Sequence, residues 1–138
     1  MHMTPARRAE TRTITIAAAP AAVLDLVADP PNLPRWAPNF ARSVRPEGND
    51  WLVDSSAGEA RISVRVSREH GTVDLVAAAD PGRGAFSRVV PNGGGSEYLF
   101  TLFFADGTEE TAVARQMAVV EEELRTVRAL CEAGAGRS

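Results

Sequence analysis

Apolar and polar residues alternate along most of this chain, and the period of the alternation changes near residue 108. Tyr98, Phe100, Leu102 and Phe104 fall on one side of an aromatic-rich segment, the period-two signature of a strand. Beyond Asp106-Gly107, Val113, Met117, Val120, Leu124, Val127 and Cys131 recur at spacings of four and three, which sets them on one face of a long helix. That stripe needs an apolar partner, and the strand before it supplies one. Thr108 is placed to cap the helix, with Glu109 and Glu110 in its first turn near the positive end of the dipole.

Upstream, residues 11–16 alternate Thr and Arg with Ile14 and Ile16, a first strand with one buried face. Pro20 suits the first position of a helix, where its missing N–H would be unpaired anyway, and Val23, Leu24 and Val27 give that short helix an apolar side. Asp29-Pro30-Pro31 stops it. Leu33, Trp36 and Phe40 lie among Pro34 and Pro38, which fits a helical turn packed inward as a lid. Turn formers at 46–50 join two short strands into a hairpin. Residues 60–67 set Ala60, Ile62, Val64 and Val66 against Arg61, Ser63, Arg65 and Ser67, one face for core and one for water. His70-Gly71 reads as a two-residue turn into a strand over 72–78; residues 80–84 and then Gly93-Gly94-Gly95 turn the chain twice more. The expected order is strand, two helical pieces, six strands and a long helix, an α+β chain.

With turns centred on His70-Gly71, Pro81 and the glycines, the inner face collects Ile62, Val64, Val66, Val73, Leu75, Ala77, Ala85, Ser87, Val89, Tyr98, Phe100 and Leu102. A slip of one residue would exchange the faces. Asp74 is expected opposite Arg88 on the outer face as an exposed pair of modest value. Ala77, Ala85 and Ser87 form a low patch on the inner face that the helix stripe need not fill. Ser87 and Tyr98 are the only hydroxyls there, so a cavity would be apolar with few polar handles, as small-molecule pockets usually are. Val76, Phe86, Val90, Leu99 and Phe103 fall outward, and a contiguous patch of them would make a homodimer surface.

Composition narrows the classes. With 138 residues, 44% hydrophobic and 24% charged, the chain reads as one soluble domain, with a flexible segment at 1–10, the domain over 11–133 and a tail at 134–138. Net charge is -3, every basic side chain is Arg, and no basic patch of nucleic-acid size stands out; Arg7, Arg8 and Arg12 cluster in a segment expected to fray. One cysteine permits no internal disulfide, and no apolar run at the start or elsewhere has the length of a leader or a span, so a cytoplasmic protein without membrane insertion is expected.

Chemistry-bearing residues are few. Tyr98 either donates to a ligand or acts as a general acid, or else it is core with its hydroxyl satisfied locally. His70 sits in a surface turn, and with His2 terminal no spacing resembles a metal site. Cys131 reads as packing, Glu121 to Glu123 as a solvated helix face with Glu121 four before Arg125, and Trp36 as core or lid. No Ser-His-Asp set, CxxC or phosphate loop is present, and no cofactor is implied.

The order of elements, the Ala19-Pro20 opening of the first helix, DPPNLPRWAPNF, RVVPNGGGSEYLFTLFF and VVEEELRTVRAL resemble the SRPBCC superfamily over about residues 11–133. The chain is most similar to its small bacterial polyketide cyclase/dehydrase-like members. The resemblance implies a START-like helix-grip fold: a curved, antiparallel seven-stranded sheet wrapped around a long C-terminal helix, with two short helices after the first strand. In similar bacterial members a His often follows the Asp of the strand that here reads GTVDLV; Leu75 stands in that place, which counts against catalysis. The expected function is binding of a hydrophobic small molecule (polyketide-, lipid- or aromatic-like) in a cavity lined by Leu33, Trp36, Val64, Leu75, Ala77, Ala85, Ser87, Tyr98, Phe100, Val113, Met117 and Val120. The alternatives are a cyclase or aromatase working by substrate shaping with Tyr98 as acid, and a dimeric interaction module without a ligand.

Overall fold

The alternating runs become seven strands, β1 (Arg8–Ile16), β2 (Ser43–Glu47), β3 (Asp50–Ser55), β4 (Gly58–Ser67), β5 (Thr72–Ala77), β6 (Asp80–Asn92) and β7 (Gly95–Phe104), in a computed structural model that describes residues 5–135. Between β1 and β2 lie α1 (Pro20–Val27), a 3-10 turn (Pro30–Asn32) and α2 (Leu33–Trp36), and the heptad-like stripe forms α3 (Glu110–Ala135). All pairings are antiparallel in the order β1-β7-β6-β5-β4-β3-β2, so the first strand closes onto the last. This is the helix-grip architecture, with a curved sheet on one side of α3.

The core lies between the concave sheet face and the helices. Ile16, Ile62, Val73, Leu75, Val89, Tyr98 and Phe100 from the sheet meet Val113, Met117, Val120, Leu124, Val127 and Cys131 from α3, with Val23, Leu24, Leu26 and Val27 of α1. Ser96, fully buried, donates its hydroxyl to the Ala18 carbonyl at 2.7 Å and fixes the start of β7 to the approach of α1. One flank of α3 is laced to β1 and to the residue just after it: Arg8 pairs with Glu110 and Arg12 Nε with Glu121 at 3.1 Å, and the Ala17 N–H donates to Glu132 at 2.8 Å.

Several expectations change. The strand begins at Arg8, three residues earlier than expected, so Arg8 and Arg12 lie in β1, each paired with a glutamate of α3. The β4–β5 connection has four residues, with Ser67 opposite Thr72. It closes on Gly71, whose φ of +72° and contact with the Val89 carbonyl leave no room for a side chain. The β5–β6 connection carries an irregularity at Val76/Ala77, so Asp74 faces Phe86 and Arg65, while Arg88 faces Thr72 and Leu99; the expected Asp74–Arg88 pair does not form opposite itself. Both registers move by two residues, which leaves each side chain on its expected face. Thr108 does not cap α3: its hydroxyl donates to the Ala105 carbonyl at 2.6 Å, closing the preceding turn, and the Glu109 carbonyl accepts the first helical bonds. Of the two readings of Trp36, core or lid, the structure gives core, with Leu33 buried beside it in the same cluster. Val66, although inward by register, is 42% exposed.

Candidate functional site

α3 presents three different sides. Its apolar stripe packs on the core, and the flank holding Glu110, Glu121 and Glu132 is tied to β1. At about 100° per residue, Glu123 lies some 160° around the axis from Glu121, on the flank turned away from β1. The expectation of a solvated Glu121–Glu123 face holds for Glu121 and Glu122 and fails for Glu123, which is 9% exposed. The signal was available in the sequence: three consecutive helical residues span about 200° of circumference, so one end of the run had to approach the stripe. Glu121 pairs with Arg12 across to β1, where an Arg125 partner four residues on had been expected.

Burial governs the titratable groups of this interior. The Glu123 carboxyl is pushed up to about 7, chiefly by loss of water and secondarily by the charge of Glu122, and no hydrogen bond from a described residue offsets it. Tyr98, 1% exposed and edge-on to Phe100 at 6.4 Å, has its phenol raised by burial, opposed by the Ser87 hydroxyl beside it and reinforced by the charge of Glu123. The Ser87 hydroxyl donates to the Val73 carbonyl at 2.7 Å. Burial on the α3 stripe pushes the Cys131 thiol up to about 11. Trp36, from α2, buries its Nε1–H without a hydrogen-bond partner among the described residues. His70 stays on the surface, its Nδ1 2.9 Å from Ser67 Oγ.

Of the twelve residues expected to line a cavity, Leu33, Trp36, Leu75, Tyr98, Phe100, Val113, Met117 and Val120 belong to one apolar cluster, with Val64 and Ala85 packed against it half-buried. Ser87 is buried on the same face and Ala77 is half-buried beside Ile62. The row Leu102, Ala85, Leu75, Val64 runs across the inner face from β7 to β4; Leu102, Ala85 and Val64 are only half-buried. Two surface grooves lie elsewhere. One of about 340 Å³ opens between α1, α2 and the end of α3 at Leu26, Asn32, Arg35, Leu130 and Cys131, and one of about 160 Å³ borders β1 at Arg12, Ile14, Glu121 and Leu124. Among the described residues no group of His, Cys, Asp or Glu could hold a metal ion, and no helix is long and apolar enough to cross a membrane.

A curved antiparallel sheet gripping a C-terminal helix, with an apolar interior and two or three polar groups inside it, defines a START-like protein. Residues 8–136 match the family described as polyketide cyclase / dehydrase and lipid transport, and the chain belongs to that family within the SRPBCC superfamily. Similar solved structures share the fold at low identity. The KanY protein is 20% identical with a TM-score of 0.70, over 93% of this chain and 99% of its own. A START superfamily protein from Mycobacterium smegmatis is 12% identical with a TM-score of 0.69, over 91% and 97%. The Aha1 dimer from Colwellia psychrerythraea is 15% identical with a TM-score of 0.70, over 92% and 98%. No curated protein matches the sequence at a significant level.

Proposed function

We propose that the chain binds a hydrophobic small molecule between the concave sheet face and α3. The observation that carries this is the row from Leu102 through Ala85 to Val64: apolar side chains that point inward by register yet stay half-buried, with Val66 more exposed still. Inward apolar positions left short of full contact forfeit burial worth about 25 cal/mol per Å², which a ligand would recover. Family membership supports the same reading, since the family's description includes lipid transport. Titration with the fluorescent apolar probe N-phenyl-1-naphthylamine tests it: saturable binding of one probe per chain is expected, and linear, unsaturable fluorescence would overturn it.

For a cyclase or aromatase activity the one candidate group is the Tyr98 phenol, buried on the inner face and kept protonated chiefly by that burial. Under that reading Tyr98→Phe loses turnover of a polyketide-like substrate while keeping probe affinity. Homodimerisation through the outer sheet face is supported by Phe86 and Phe103, stacked edge-on at 5.5 Å with Phe103 42% exposed.

A further inference from the structure

We propose that a second copy of this chain covers the outer sheet face in a two-fold packing, with Asp74 of each subunit paired to Arg88 of the other. The proposal rests on the dimer reading above, which used Phe86 and Phe103 alone, and adds the contacts that select the partner.

The register lays the outer face out in rows. Arg65, Asp74, Phe86 and Thr101 stand side by side from β4 to β7. The next row holds Ser67, Thr72, Arg88 and Leu99, and the one after it sets Val90 beside Glu97. Phe86 and the exposed Phe103, edge-on to each other, form an apolar centre on this face, with Leu99 and Val90 half-buried in the neighbouring rows. Asp74 borders Phe86 across on β5, and Arg88 follows it two residues along β6.

The charges in these rows are unevenly engaged. Glu97 accepts hydrogen bonds from Thr13, Thr15 and Asn92. Farther out on the sheet, Arg45 pairs with Glu59, and Arg61 with Glu47 and Asp50. Asp74, Arg65 and Arg88 form no ion pair among the described residues, although Arg65 stands directly across from Asp74. Arg65 and Arg88 balance Asp74 and Glu97, so the face has no net sign to attract a nucleic acid or an anionic membrane. Balanced, uncommitted charges around an apolar centre match a surface of their own kind.

Symmetry then doubles the match. In a two-fold interface residue i meets j and j meets i, so one complementary pair is made twice. A two-fold axis lying in the interface and bisecting the line from Asp74 to Arg88 sets each over the position of the other. That axis passes beside Phe86, which is one strand from Asp74 and two residues from Arg88, so the aromatic centres of the two copies meet as well.

The test is sedimentation velocity on the whole chain as wild type, Asp74→Arg and Arg88→Asp, each checked for folding by circular dichroism. Wild type should dimerise, and each variant, which opposes like charges, should do so about tenfold more weakly. An equimolar mixture of the two variants should recover the dimer, because both contacts then join an arginine to an aspartate. A pair made within one chain would gain nothing from mixing, so a mixture as weak as its components would overturn the proposal. Unchanged affinity in both single variants would also overturn it and leave the aromatic patch standing as the dimer surface. Wild type that stays monomeric at every concentration would overturn both.

Discussion

The charge of Glu123 on α3 bears on the phenol of Tyr98 on β7 and adds to burial in raising its pKa. Burial thus favours the neutral form of both the carboxyl on the helix and the phenol on the sheet. For Glu123 the consequence is a pH-dependent cost. Below about pH 4.5 the group is neutral whether the chain is folded or not. As pH rises toward about 7 the unfolded chain ionises freely and the folded chain resists, so stability falls across that window and levels off above it. At about 1.4 kcal/mol per pH unit, the loss reaches at most about 3 kcal/mol. Glu123→Gln should remove it, matching wild type near pH 4 and exceeding it by about 1 to 3 kcal/mol at pH 8. Glu97, held below the usual carboxylate range by hydrogen bonds from Thr13 and Thr15, contributes with the opposite sign and cancels in the comparison. Urea unfolding curves that stay parallel from pH 4 to pH 8 would contradict this.

The Ser96 hydroxyl donates to the Ala18 carbonyl in a fully buried setting. Ser96→Ala leaves that carbonyl dry and unpaired, at a cost of about 1 to 3 kcal/mol. Urea midpoints measure it; a loss below about 0.5 kcal/mol would show that water or a backbone shift replaces the bond.

How much of this was legible in the sequence depends on which physical rule was at work. Period-two alternation placed Ser87, Tyr98 and Phe100 on the inner face correctly even though two connections were misjudged. The β4–β5 loop is four residues rather than two, and the irregularity at Val76/Ala77 moves Asp74 from Arg88 to Phe86, but an even slip keeps the face. Thr108 has the side chain of a helix cap, and the choice between the helix amides and the Ala105 carbonyl is made by the geometry of the Asp106-Gly107 turn. Glu123 escaped because a binary pattern treats every Glu as solvent-facing, whatever angle it occupies on the helix. Val66 is exposed because alternation marks a face without marking where the covering helix ends.

Phe86 and Phe103 give the outer sheet face an aromatic patch. Val76, outward by register, is 1% exposed and adds nothing to it. If copies of the chain associate through this patch, Phe103→Asp should convert a dimer to a monomer in size-exclusion chromatography with light scattering. Wild type that elutes only as a monomer at high concentration contradicts the dimer.

The central claim is that the inner face leaves room for a ligand over Ala85, which pairs with Leu75 and Leu102 in the half-buried row. Ala85→Phe fills that room from the strand side. The decisive measurement is N-phenyl-1-naphthylamine binding alongside the urea midpoint, on wild type and Ala85→Phe. The account predicts that wild type binds the probe, that the variant does not, and that the midpoint barely moves. A wild type that binds no probe, with a variant destabilised by about 1 to 3 kcal/mol through overpacking, would show the inner face to be solid core and contradict the account.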